Sequence, residues 1–320
     1  MSRGARLTLA LGAMAAASLG LPSAALAHVG EAPPPADAFA ILLAWRFDPP
    51  VVIPVVLTAW AYLGLARSVG RAHPTNPWPR RRTAYFLGGL ATVLLALVSP
   101  IEILSDALLT VHMVQHMLLM VVAPPLFAAS GIGTLLLRAS RPALRGRLLL
   151  PLLHGRLGLL LYPPLGWLAF TAALWGSHLT ELYNLALLDD GVHAVEHLLY
   201  IAAATLFWWP IFSPDPLRWR LHPSLRLVLV ATQLPPVSFL GVILMSAGHV
   251  LYPAYLGRAA SYGIDALADQ RAAGALMWVM GDMMLIGAAM LVVADWMRVA
   301  DREAERVDAR LDRQHRDASQ

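Results

Sequence analysis

Apolar residues along this chain gather into long unbroken runs. They do not show the short alternation of a half-buried strand or the one-sided stripe of a soluble helix. A first run extends from Leu7 to about Leu21, and seven more occupy about residues 49–66, 83–99, 107–129, 157–177, 192–211, 225–250 and 273–294. Most of the seven approach the roughly 20 residues a helix needs to cross a bilayer. The pattern therefore predicts an all-α integral membrane protein with seven transmembrane helices. Pro54, Pro124-Pro125, Pro163-Pro164 and Pro235-Pro236 fall within these runs. Membrane helices tolerate such prolines because neighbouring helices satisfy the freed backbone groups.

The first run is different in kind. Arg3 and Arg6 precede it, and Ala25-Leu26-Ala27 follows as a small-x-small site, the layout of a cleavable signal peptide. The expected organisation is a signal peptide over 1–27 and an extracytoplasmic segment over 28–48. A seven-helix membrane domain over 49–294 and a charged cytoplasmic tail over 295–320 follow. Cleavage after Ala27 would make His28 the mature N-terminus, whose α-amine and imidazole together can chelate a copper ion; otherwise His28 lies in a loose terminus.

Composition supports the membrane reading: 58% of residues are apolar and only 14% charged, against about 25% charged in soluble domains. All 24 basic residues are arginine. Their positions explain the net charge of +4 without a nucleic-acid partner. Arg67, Arg71 and Arg80–Arg82 lie between the first two spans. Arg138, Arg141, Arg145, Arg147 and Arg156 lie between spans three and four, and Arg218, Arg220 and Arg226 between spans five and six. Six more follow the last span, whereas the opposite side of the mature chain carries only Arg46, Arg258 and Arg271. The positive-inside rule makes the Arg-rich side cytoplasmic, and the signal peptide independently puts residue 28 outside. The chain has no cysteine, so disulfides, iron–sulfur clusters and thiolate metal sites are excluded.

Histidine carries the candidate chemistry. His112 and His116 open the third span and His193 and His197 the fifth; His178 closes the fourth and His249 the sixth. All fall on the expected outer side. A spacing of four puts both imidazoles of a pair on one helix face. Two such pairs on facing helices can supply four nitrogen ligands, a set that suits Cu, Zn, Fe or Ni. Thioethers stand nearby in Met113, Met117, Met277 and Met280; they either pack the core or favour Cu(I). Glu196 is a direct ligand or orients an imidazole from behind. Asp282 makes an interhelical hydrogen bond or serves a proton or ion path. Asp269-Gln270 caps the last helix or lines the outer site.

His112-Met113-Val114-Gln115-His116-Met117-Leu118-Leu119, followed by Ala123-Pro124-Pro125-Leu126, closely resembles the signature of the CtaG family of cytochrome c oxidase assembly factors, named for oxidases of the caa(3) type. Ser99-Pro100 fits, as do His193-Ala194-Val195-Glu196-His197-Leu198 with Phe207-Trp208-Trp209-Pro210, and Asp269-Gln270 with Gly274 and Met277-Trp278. The likeness runs from about residue 50 to 295. One stretch departs from it. The family usually shows Trp-His-x-Pro near the end of the fourth span, and here Trp175-Gly176-Ser177-His178-Leu179-Thr180 stands instead. Counted back from Tyr183, His178 still falls on the family's histidine.

The resemblance implies a multi-pass protein of the bacterial plasma membrane, without enzymatic activity, that helps make active haem–copper oxidase. Its partners would be oxidase subunits, the lipid bilayer and an extracytoplasmic copper donor. Copper handling is the usual suggestion for the family. An unrelated single-span copper chaperone shares the name, so support for copper comes from the His and Met cluster itself. Haem binding through axial histidines is the alternative cofactor reading. A transporter and a metal-free assembly scaffold remain open beside it, although no internal repeat supports a transporter. No phosphate-binding loop or Ser/His/Asp arrangement points to an enzyme.

Overall fold

A computed structural model describes residues 41 and 43–318. The expected signal peptide and His28 lie outside the described residues. Among those described, the secondary structure is helical throughout, with no strand. Helix α1 (Pro49–Ala72) leads to α2 (Arg80–Val98) and a short α3 (Pro100–Ser105). The next span is composite: α4 (Leu109–Met117), a π-helical turn over Leu118–Val122, α5 (Ala123–Ser130) and α6 (Ile132–Ala139). After several helical turns come α7 (Pro163–His178), the short α8 (Glu181–Ala186) and α9 (Asp190–Phe212). Then follow α10 (Pro223–Ser246), the short α11 (Tyr255–Ala260) and α12 (Ala266–Ala318).

Among the described residues, six stretches are long and apolar enough to cross a membrane: α1, α2, Leu109–Ala139, α9, α10 and α12. The run expected over 157–177 is helical only from Pro163 to His178, after a 3₁₀ stretch over Arg156–Leu161. At 16 residues it falls short of the other six, yet it packs against α9 and α10. The last helix departs in the other direction. It runs 53 residues without a break, so the charged tail continues the final span.

The helix starts follow capping rules. Proline occupies the first turn of α1, α3, α7 and α10, where its missing N–H is no loss. Ser99, Thr180 and Asp189 accept a backbone N–H at the starts of α3, α8 and α9. The composite span has a specific cause. Pro124 and Pro125 have no N–H, so the carbonyls four residues earlier lose their helical partners. The π turn sits there, and Trp208 Nε1 on α9 donates to the Met120 carbonyl at 2.8 Å. This is how a membrane protein satisfies backbone that a proline has freed.

Packing divides into two apolar clusters. The larger joins α4, α5, α7, α9, α10 and α12. A smaller one joins α1, α2 and α6, where Tyr62 stacks on Phe86 with ring centroids 3.9 Å apart and accepts a 3.0 Å hydrogen bond from Trp78. Helices α10 and α12 approach closely because Gly241 and Gly274 face each other. A Cβ on Gly274 would come within 2.6 Å of the Gly241 carbonyl oxygen, and one on Gly241 within 2.8 Å of the Gly274 oxygen. Small residues enable such backbone contact between membrane helices. Ser238 on α10 donates to both Asp282 carboxylate oxygens, at 2.9 and 2.7 Å. Asp282 thus makes an interhelical hydrogen bond.

The Arg-rich segments meet at one end. Arg138 donates to the Asn76 carbonyl at 2.5 Å, and Arg226 lies 3.8 Å from Asp295. Asp215 accepts from the Gly133 and Thr134 amides at 3.0 and 2.6 Å. The histidine-bearing helix ends meet at the other.

Candidate metal centre

The site is built on the first turns of α4 and α9. The four-residue spacing carries His112 and His116 to one face of α4, and His193 and His197 to the facing side of α9. One ring nitrogen from each of the four imidazoles lies within 4.8 Å of all the others. His112 and His116 meet directly, Nε2 to Nε2, at 2.8 Å. Ring centroids are 4.2 Å apart for His193 and His197 and 5.1 Å apart for His112 and His193. His112, His116 and His197 are buried, while His193 is half-buried and opens the quartet toward the surface.

A shell of tyrosines from α8, α9 and α11 surrounds the imidazoles. Tyr255 on α11 donates to the Ser105 carbonyl at 3.1 Å and lies 2.7 Å from His112 Nδ1. Because its proton goes to Ser105, the phenol oxygen accepts from His112 Nδ1–H. That fixes the tautomer and leaves the His112 Nε2 lone pair facing the quartet. His116 Nε2–H then donates to it, leaving His116 Nδ1 bare. Tyr200 packs on His116 with centroids 4.6 Å apart, and Tyr183 lies 5.4 Å from His112 and 5.2 Å from His178. Burial pushes the Tyr183 and Tyr255 phenols well above their usual range, so both stay neutral.

Several buried polar atoms in and around the quartet lack protein partners. His116 Nδ1, His178 Nε2, His193 Nε2, His197 Nε2 and Glu196 Oε2 are buried without a hydrogen bond. Each such atom costs about 1–3 kcal/mol, and a concentration of them at one place marks functional sites. Four imidazoles whose ring nitrogens come this close fit a metal ion.

The other candidates take distinct positions. His178, at the end of α7, donates Nδ1–H to the Leu174 carbonyl at 2.8 Å and sits at the quartet's edge, 6.2 Å from His116 between centroids. Glu196 lies outside the quartet, with Oε1 accepting from Tyr200 at 3.2 Å. Met113, Met117 and Met277 are buried in the large apolar cluster with the site's tyrosines. His249 stands exposed in the loop after α10, and its carbonyl accepts from Gln270 at 3.2 Å.

Several contributors take roles that the sequence did not specify. The α4 start has Leu108 at its cap position, which cannot accept a hydrogen bond from a side chain. Asp269, from α12, does the capping in trans: its carboxylate accepts the Leu109 amide at 2.6 Å and the Thr110 amide at 3.3 Å. Thr110 Oγ1 returns a 3.0 Å bond to the Asp269 carbonyl. The carboxylate thus serves the histidine helix instead of its own. Arg258 donates to the Asp106 and Leu187 carbonyls at 3.1 and 3.2 Å, tying together the two loops that precede α4 and α9. Behind α4, Gln115 donates to Glu102 and to the Ala96 carbonyl. Burial beside Asp106 raises the Glu102 carboxyl to about 8.

The family model described as cytochrome c oxidase caa3 assembly factor matches residues 60–299. Uncharacterized proteins of Mycobacterium bovis and Mycobacterium tuberculosis are each 26% identical over 295 residues, which is 90% of this chain and 44% of theirs. One from Mycobacterium leprae is 25% identical over the same length. The chain spans less than half the length of these relatives. No solved structure matches it.

Proposed function

From the premise that this chain belongs to the family of cytochrome c oxidase caa3 assembly factors, we propose that it takes up copper as cargo at the outer face of the bacterial plasma membrane and delivers it to an oxidase subunit. The observation carrying this reading is the convergence of His112, His116, His193 and His197, with ring nitrogens mutually within 4.8 Å. Neutral imidazoles suit copper, and each of the four can present one nitrogen lone pair to the ion.

The residues divide the work. His112 is pre-set by Tyr255 to present Nε2. His116 must pass its Nε2 proton to Nδ1, a tautomer change that needs no change of charge. His193, the half-buried member, is the entry and exit point. His178 and Glu196 hold bare atoms at the quartet's edge, where they serve as further ligands during hand-over. Met113, Met117 and Met277 are the nearby thioethers.

The arginine distribution supports an outer location for the site, with α7 as a short seventh span and the tail in the cytoplasm. The compactness of the quartet favours a small ion over haem, because Tyr183, Tyr200 and Tyr255 fill the space beside the imidazoles. The role is non-catalytic.

The test is metal analysis with a visible spectrum on folded protein from copper-replete cells, comparing wild type with His112→Ala/His116→Ala. The expected result is bound copper in wild type, roughly tenfold or more lost in the variant, and no Soret band. A Soret band would replace copper by haem. Neither metal nor haem, with oxidase assembly intact in the variant, would leave a scaffold.

A further inference from the structure

The Arg-rich end holds a cavity of about 460 Å³ that takes no part in the histidine site. It lies between the end of α1, the loop into α2 and the end of α6, and is lined by His73, Asn76, Leu137, Arg138, Arg145 and Leu150. Two guanidinium groups share it. Arg138 gives one N–H to the Asn76 carbonyl and Arg145 one to the Ser140 carbonyl, so each keeps most of its five donors.

No acid lines the cavity, and Asp215, at the start of α6, is taken up by the Gly133 and Thr134 amides. Residues 67–82 and 131–162 contain no Asp or Glu, and among the described residues neither arginine forms an ion pair. Paired guanidiniums in a concave, acid-free site match a phosphate group bidentately. Two further features select the source of the phosphate. The cavity is several times larger than one phosphate needs. Apolar side chains also open beside the charges: Leu137 and Leu150 line it, and Leu159, Leu160 and Tyr162 stand exposed on the same connecting segment. Charge and apolar surface side by side at the end of a helix bundle are the chemistry of the headgroup–acyl boundary.

We propose that this cavity binds the phosphate headgroup of an anionic phospholipid, with Arg138 and Arg145 as its ligands. The proposal rests on the chain lying in a membrane and is independent of copper. The test delipidates purified full-length protein in the presence of phosphatidylglycerol or phosphatidylcholine of identical acyl chains. It then counts retained lipid by native mass spectrometry and follows the Tm. Selective retention of phosphatidylglycerol with a raised Tm is expected. In Arg138→Gln/Arg145→Gln retention should weaken roughly thirtyfold.

Arg141→Gln/Arg147→Gln removes the same charge from exposed positions outside the lining and should keep the preference. Equal retention of the two lipids, or loss of preference in both variants alike, overturns the proposal. If inorganic phosphate raises the Tm as much as phosphatidylglycerol does, the source is a soluble phosphate and the lipid assignment falls. Copper content, measured on the same preparations, reports separately on the histidine site and on folding.

Discussion

At one end of the bundle four imidazoles converge behind three tyrosines, and Arg258 ties the surrounding loops shut. At the other, arginines stand around an open cavity with most of their hydrogen-bond donors free. Yet the composite span α4–α6 is seated at its two ends in the same manner. Asp269 caps α4 from 160 positions later in the chain, and Asp215 caps α6 from 82 positions after Gly133. Leu108 and Gly131 bring no capping side chain of their own. A carboxylate from elsewhere supplies it, so folding of the two segments depends on tertiary assembly. The comparison teaches that capping is common to both ends, whereas, among the described residues, the buried imidazole nitrogens without a partner belong to one.

Tyr255→Phe breaks the comparison most sharply. It removes the oxygen that orients His112 and bonds the Ser105 carbonyl, and loss of such a supporting hydrogen bond lowers metal affinity about 10–100-fold. Copper titration should show that loss beside a modest fall in Tm from the broken Ser105 bond, and an unchanged affinity would remove Tyr255 from the site. The next effect is smaller and comes as a pair. Asp269→Ala and Asp215→Ala should each cost about 1–2 kcal/mol as lost caps, read as a lower Tm. Only Asp269→Ala should also weaken copper binding, because only it seats the histidine helix. Equal copper affinities in the two variants would show that the α4 cap is structural alone.

The smallest effect concerns Glu102 on α3, whose carboxyl is raised from 4.5 to about 8 by burial, with Asp106 and Asp48 reinforcing the shift and Gln115 and Arg46 opposing it. The folded chain then holds a proton that the unfolded chain releases between those values. Stability from this group is full at low pH and falls as pH rises toward 8. Because the side chain is partly open to solvent, the Tm should drop only a few degrees across this window. Glu102→Gln should flatten the slope, and an unchanged slope would assign it to another group.

Much of this was legible in the sequence. The apolar runs had to be helical in a bilayer, and an i,i+4 pair must share a helix face, so the four-histidine set followed from spacing once two helices faced each other. What stayed hidden depends on the third dimension. Tyr255 reads as a loop aromatic until α11 folds over His112. Asp269 reads as a cap for its own helix or as a lining residue of the outer site, and only packing shows it capping α4. His249 has the spacing of a helix-end ligand, but the chain leaves the helix at Ser246 and turns its imidazole outward. The fourth apolar run lost its first residues to a 3₁₀ stretch, because Pro163 and Pro164 favour a new start over a continuation.

The unbroken course of α12 has one more consequence. With no proline from Ala266 to Ala318, nothing in the sequence imposes a sharp hinge where the span leaves the apolar zone. At about 1.5 Å per residue, the 23 residues after Asp295 extend roughly 35 Å. Arginines and acids cover one side of this stretch, while Trp296, Met297, Ala300, Ala304 and Val307 share the other. Over the described residues the charged stretch is therefore carried straight on from the apolar span as one continuous rod.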